Sequence, residues 1–379
     1  MVLRALLFFS IVLLVLGGAC AYLGHRSMAL CPPLGRHPGA VWGFLGFFVA
    51  VLIAAPILHR VPGLGPSLGG LFWVSYGLFS FVSTFIVYLA LADLVQALLR
   101  RGLHLQVGGW AFGLALGGAL LSVLAGAFTA LRPVAPRTVE VPIQGLAPAL
   151  DGFRIVQISD LHLGPLVRDA QVDHVVAAAN ALRPDLVAVT GDLVDGEADG
   201  VRAKAERMTA LSSTHGTFFV TGNHEYYSGV RRWLDVIRGM GWRVLHNQHA
   251  VLEHGGARLA VAGMPDPTSR GRRGDGTGPD LSRALAGIPP DALPLLLYHP
   301  PTGTAAAERA GVKLQLSGHT HSGQYFPWSL LIPLLYEHPR GLTRRGGLWV
   351  YTSVGTGFWG PPNRFLVPPE LTLLVLKRG

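Results

Sequence analysis

The chain has 379 residues, 50% of them hydrophobic and 14% charged, with a formal net charge of +9. Its two cysteines, Cys20 and Cys31, are too few for a disulfide framework or a thiolate metal site. The charge does not suggest a nucleic-acid binder: up to Gln144 eight arginines face two acids, Asp93 and Glu140, which leaves 23 basic and 20 acidic residues beyond, and no basic cluster is interleaved with aromatics.

The mean hydropathy of +0.40 has a local origin. Leu3–Leu23, Val41–Leu58, Leu71–Leu99 and Val107–Leu131 are apolar runs with few charges. A bilayer core takes about 20 such residues per helix, so four transmembrane helices are expected. The first run is too long for a signal-peptide core and has no small-x-small cleavage site after it. Cys20 and Cys31 read as two separate thiols. Glycine recurs in the fourth run (Gly108, Gly109, Gly113, Gly117, Gly118, Gly126), and a Gly113-x-x-x-Gly117 pair would let helices approach closely. Asp93, beside Arg100 and Arg101, reads as interfacial. Four spans place Met1 and the C-terminal domain on one side. Arg4, Arg60, Arg132 and Arg137 flank that side; Arg26, Arg36, Arg100 and Arg101 flank the other, so arginine counting leaves the side open.

Arg132–Arg137 holds two prolines and a charge shift, a linker signal. The division is then 1–131 as the transmembrane region, 132–150 as linker and first strand, and 151–379 as a globular domain. In the latter, strand-like runs (153–158, 186–189, 218–220) alternate with helical ones (171–182, 201–211, 230–240). Mostly strands follow: 243–245, 251–254, 259–262, 295–298, 313–316, 348–352 and 371–376. This order predicts an α/β domain with layered sheets.

Five of these strands end in polar turns. They are Ser159-Asp160-Leu-His162, Thr190-Gly191-Asp192, Thr221-Gly222-Asn223-His224-Glu225, Tyr298-His299-Pro300 and Ser317-Gly318-His319-Thr-His321. In open α/β sheets ligands bind at the carboxyl ends of strands, so these side chains are expected to converge. Gly191-Asp192 alone is an ordinary turn, and Asn223 alone an Asx turn. Five in register with five strand ends form a site.

Taken together, Asp160-x-His162, Gly191-Asp192, Gly222-Asn223-His224-Glu225, His299 and Gly318-His319-x-His321 resemble the motif series of the calcineurin-like metallophosphoesterases. The branch they are most similar to is that of bacterial membrane-associated or exported phosphodiesterases, whose Gly-His-Thr-His segment continues, as here, to Gln324. The resemblance covers roughly residues 138–379. It implies a four-layer α-β-β-α sandwich, here preceded by the all-α four-helix transmembrane region. It also implies two divalent metal ions, with N and O donors that suit Mn, Fe or Zn. Asp160, His162 and His321 would hold one, Asn223, His299 and His319 the other, and Asp192 would bridge them. The nucleophile would be a metal-bound hydroxide, with His224 as general acid, oriented by Glu225 or another carboxylate.

Two stretches bear on the substrate. Ser269–Gly274 is a Gly-rich loop with three arginines, either a contact for anionic groups or a solvated loop. Phe326–Tyr336, directly after the histidines, is apolar with Trp328 and Tyr336. It either packs as core or against the transmembrane bundle, or dips into the bilayer interface to admit a lipid-linked phosphoester. The expected partners are thus the membrane lipid bilayer and a phosphoester substrate, without nucleic acid. The expected location is a bacterial inner membrane, with the exported relatives leaning the domain outward. The alternative function is a non-catalytic metal-binding scaffold or a membrane sensor using this fold to bind partners.

Overall fold

The computed structural model describes residues 2–59, 69–103, 110–271 and 276–379. Residues 107–109, at the expected start of the fourth span, and Arg272, Arg273 and Gly274 of the Gly-rich loop lie outside the described residues. The chain divides into two compact units, Met1–Gly126 and Ala127–Gly379.

The first unit is built on long helices: α1 (Val2–Leu30), α2 (Pro38–His59), α3 (Gly69–Leu103) and α4 (Trp110–Leu131). All four contain a stretch long and apolar enough to cross a membrane. Their mutual contacts run through Leu23, Leu45, Phe48, Phe85, Leu89 and Ala119, while Leu14, Leu121 and Leu124 stay exposed, as side chains facing lipid do. Gly113 and Gly117 face open space; the close approaches instead use Gly118, against the Tyr88 ring, and Gly24, against Trp42. Cys20 and Cys31 are both free thiols. Asp93 on α3 meets Arg26 of α1 rather than Arg100 or Arg101. Arg26 Nε donates to Asp93 Oδ2 at 2.8 Å, Arg26 Nη2 meets Oδ1, and the Tyr22 hydroxyl donates to Oδ2 at 2.8 Å.

The second unit holds two six-stranded sheets. The first contains β1 (Pro136–Ile143), β2 (Arg154–Ile158), β3 (Leu186–Val189), β4 (Thr217–Phe219), β5 (Arg243–Val244) and β12 (Leu371–Arg378), in the order β1-β12-β2-β3-β4-β5. The second contains β6 (Gln248–His254), β7 (Ala257–Gly263), β8 (Ala292–Leu297), β9 (Leu314–Ser317), β10 (Gly341–Arg345) and β11 (Leu348–Thr352), in the order β10-β11-β9-β8-β7-β6. Strands β2, β3, β4 and β5 run parallel, as do β7, β8, β9 and β11.

Side chains alternate along a strand, and here both faces are buried. Ile155, Leu186, Ala188 and Phe218 of one sheet meet Leu259, Val261, Leu295 and Leu316 of the other in one core. The opposite face of the second sheet (Ala262, Leu296, Val350) packs under α9 (Leu281–Leu285) and α10 (Thr304–Arg309). On the first sheet, Val156, Ile158, Val187 and Val189 are fully buried. The helices connecting its strands, α5 (Asp169–Ala181), α6 (Ala198–Glu206) and α8 (Val230–Gly239), bring matching apolar stripes such as Val172, Val175, Trp233 and Ile237. The result is the four-layer α-β-β-α sandwich.

The last turn of α4, from Ala127 on, belongs to this unit. Arg168 donates to the Leu131 carbonyl at 3.0 Å, and His174 Nε2 meets the Val134 carbonyl at 2.9 Å. Ala130 and Val134 line a small cavity with Leu161, Gly357 and Phe358. Gly357 in turn donates its N–H to the Asp160 carbonyl at 3.1 Å.

Candidate metal centre

Within each sheet the strands that matter are parallel and adjacent, so their carboxyl ends lie on one edge. β2, β3 and β4 present Asp160 and His162, Asp192, and Asn223 with His224; β8 and β9 present His299, His319 and His321. Bonds between the sheets fix the two rows against each other. Gln157 Nε2 donates to the Ser317 carbonyl at 2.9 Å, and the His319 N–H reaches Asp160 Oδ1 at 3.0 Å. All eight residues singled out in the sequence therefore meet.

Among the described residues three groups have donor atoms within 4.8 Å of one another: Asp160, His162 and His321; His162, Asp192 and His224; Asp192, His299 and His319. His162 Nε2 lies 3.0 Å from His321 Nε2, and His299 Nε2 lies 3.2 Å from Asp192 Oδ2. Asn223 Oδ1 joins the last group, 3.1 Å from His319 Nδ1. The His299 Nδ1–H donates to the Thr190 carbonyl at 2.7 Å, which orients the ring with Nε2 toward Asp192. That Nε2 and His162 Nδ1 are buried without a hydrogen-bond partner. Each such orphan costs about 1–3 kcal/mol, which a cation beside it would offset. The donor set, all N and O, fits divalent metal ions.

The backbone is bent to reach this arrangement. Asp160, His162, Asp192, His319 and His321 all have positive φ, between 45° and 71°. Non-glycine residues seldom adopt this region, and its strain of about 1–3 kcal/mol each gathers at functional sites. Space is short as well: a Cβ on Gly222 would strike the Asp192 carboxylate, and one on Gly318 would strike Ser159 and Asp160.

Burial alone would raise the Asp160 and Asp192 carboxyls, but the His321 and His299 imidazoles beside them hold both below the ordinary range. Burial, then the neighbouring His224, push His162 down to about 3. His224 goes the other way. Burial opposes its charge, but its hydrogen bond to Asp195 and the Asp192 charge raise it to about 9. Two cations nearby would bring it back toward neutrality.

Sequence reasoning did not single out two residues, and of the two partners it left open for His224, Glu225 or another carboxylate, the structure has the second. The carboxylate on His224 is Asp195, whose Oδ1 lies 3.1 Å from Nδ1; it sits three residues beyond Asp192, the one sequence signal it carries. Glu225, in contrast, never reaches the imidazole. It is fully buried and accepts the N–H groups of Gly222 (2.6 Å), Asp192 (3.1 Å), Leu193 (2.8 Å) and Val194 (3.3 Å), tying together the turns after β3 and β4. Burial and the Asp192 charge push its carboxyl up to about 7. The second missed residue is Arg364, fully buried behind His321. It donates to the carbonyls of Val354 (2.7 Å) and Gly357 (3.0 Å), and its Nη2 lies 3.2 Å from His321 Nδ1.

Gln324, at the end of the histidine motif, clamps the next loop: Nε2 donates to the Trp359 and Pro361 carbonyls, and Oε1 accepts the Trp359 N–H at 2.7 Å. That places the Trp359 ring 5.8 Å from the His224 ring. Phe326–Tyr336 is not core: Leu330, Leu334 and Leu335 are 62%, 80% and 72% exposed. Tyr336 closes the stretch 6.2 Å from the His319 ring.

The pattern of the calcineurin-like phosphoesterase family matches residues 153–323, a segment that contains all eight residues. The transmembrane protein with metallophosphoesterase domain of Bos taurus is 38% identical over 268 residues, covering 68% of this chain and 60% of its own. That of Danio rerio is 36% identical, covering 67% and 60%. The chain thus spans 60% of the length of these vertebrate relatives. A metallophosphoesterase of Aquifex aeolicus is 32% identical over 260 residues, covering 68% of this chain and 98% of its own. With 98% of a relative's length matched and the motif side chains meeting in one cleft, the assignment follows: the chain belongs to the calcineurin-like metallophosphoesterases, in a membrane protein with four apolar helices.

Proposed function

We propose that this is a membrane-anchored phosphodiesterase with a dinuclear centre, acting on a lipid-linked or headgroup phosphoester. Asp160, His162 and His321 hold one ion, Asn223, His299 and His319 the second, and Asp192 is shared. When bound, two such ions supply an activated water and neutralise charge developing on the phosphoryl oxygens. His224 holds the proton for the leaving oxygen, with Asp195 keeping its ring in place. Residues 151–379 form the catalytic domain, 132–150 its linker, and 1–131 the anchor. We place the domain on the outer face of a bacterial inner membrane, as in the exported enzymes it resembles; a C-terminal reporter active only in the cytoplasm would have to stay silent.

The observation that carries the lipid reading is the exposed apolar stretch Trp328–Leu335 beside His319 and His321. An enzyme for small soluble esters gains nothing from such a rim, whereas a lipid substrate or the bilayer surface buries it. The test is Trp328→Ser with Leu331→Ser, assayed on a phospholipid in mixed micelles and on a soluble aryl phosphodiester. Activity on the lipid should fall at least tenfold while the soluble activity holds. Equal loss on both, or loss on neither, refutes the lipid reading and leaves the metal chemistry standing.

A further inference from the structure

The catalytic unit carries a second feature that the metal centre does not use. A groove of about 620 Å³ runs between residues 132–137, Arg340–Leu342 and Leu366–Glu370. None of the eight residues of the centre lines it. Arg132, Arg137 and Arg340 line it and are exposed. Glu370 is its one lining acid, and it is buried and engaged by the Tyr351 hydroxyl (2.9 Å) and the Val354 N–H (3.1 Å), with Arg137 at 3.4 Å. Three guanidinium groups against one carboxylate leave the groove cationic, and Arg132 and Arg340 form no ion pair among the described residues. Leu366 stands out of the wall, 67% exposed, at φ 61°, a conformation a leucine rarely adopts.

Chain continuity sets where this groove opens. Arg132 directly follows Leu131, the last residue of the 22-residue apolar helix α4. A helix that crosses the hydrocarbon core delivers its next residues to headgroup level. Arg168 donates to the carbonyl of Leu131, the last residue of α4, and His174 Nε2 meets the Val134 carbonyl in the stretch that lines the groove.

We propose that this groove binds the headgroup phosphate of an anionic phospholipid from the surrounding bilayer, with the arginines on the phosphate and Leu366 against the glycerol and upper acyl chain. Guanidinium groups present paired donors that match phosphate oxygens. This lipid is bound and not turned over, because the groove holds none of the reacting groups.

The test uses full-length protein in a neutral detergent and a fluorescent phosphatidylglycerol, whose binding is followed by anisotropy. Unlabelled phosphatidylglycerol should displace the probe, whereas phosphatidylcholine, glycerol 3-phosphate and inorganic phosphate at equal concentration should not. Arg132→Ala with Arg340→Ala should weaken binding about fivefold per arginine, the factor corresponding to about 1 kcal/mol for each basic residue near an anionic surface. The double Arg→Lys variant should keep most of the affinity, and an unchanged lipid-free unfolding temperature shows that the fold is intact. If the double alanine variant does not fold, Arg340→Gln alone carries the test, since it lies far in sequence from the span. Undiminished binding in these variants overturns the proposal. So does equal displacement by glycerol 3-phosphate, which would make the ligand a soluble anion. Asp192→Ala should bind the probe as wild type does; loss there would move the lipid to the metal centre, overturning the groove while leaving the catalytic proposal intact.

Discussion

His224 and Asp195 form the pair through which a proton would leave, and their separate roles can be measured. His224→Ala should lower kcat about 10²–10⁴-fold without changing the metal content. The loss should be larger for an alkyl leaving group, which needs the proton, than for an aryl one, which leaves unaided. Equal loss for both would show that His224 acts otherwise. Arg364 is a different kind of residue. Its guanidinium satisfies two buried carbonyls behind His321, and Arg364→Lys cannot reach both in the same geometry. An unsatisfied buried carbonyl costs about 1–3 kcal/mol, so the variant should unfold several degrees earlier; an unchanged transition would mean water replaces the fork. Neither Asp195 nor Arg364 was legible in the sequence in these roles. That the eight central residues lie together was legible, because each follows an apolar run and a turn signal. Asp195 is one more acid in an acidic loop, and nothing in Pro361-Pro362-Asn363-Arg364 says that the arginine folds back behind a histidine 43 positions away.

At the scale of elements, the strands bearing the site could be read because both their faces are buried and their runs are nearly all apolar, as in Leu186-Val-Ala-Val189. β10 was missed for the opposite reason. Gly-Leu-Thr-Arg-Arg is polar and half exposed, and only its antiparallel pairing with β11 makes it a strand. The short helix α7 (Asn223–Tyr227) was hidden too, since its first turn is held partly from afar, by the Asp192 carboxylate on the His224 N–H, beside its own Glu225 on the Gly222 N–H. In the membrane unit the contact between α1 and α3 centres on Arg26 and Asp93, whose partnership neither helix announces alone. Asp93→Asn should lower the unfolding temperature in detergent, at a cost of about 1–3 kcal/mol for leaving Arg26 without its counter-ion. The Arg26→Gln, Asp93→Asn double variant should recover part of that loss; strictly additive losses would mean that the two side chains do not stabilise each other.

For the whole molecule the decisive feature is that the last turn of α4 belongs to the catalytic unit, where Ala130 lines a small cavity with Gly357, whose N–H donates to the Asp160 carbonyl. The sequence marks 131 as the end of the span and 132–137 as a linker; Arg168 bonds the Leu131 carbonyl and His174 the Val134 carbonyl. On the proposed function, this changes the dimensionality of the encounter between enzyme and substrate. Both are confined to one surface, and they meet by lateral diffusion, so the governing quantity is mole fraction in the film and not bulk molarity. Diluting a phospholipid substrate with inert detergent at fixed total substrate should therefore slow turnover in proportion, while a water-soluble ester is unaffected. Kinetics indifferent to such dilution would show that the substrate arrives from solution.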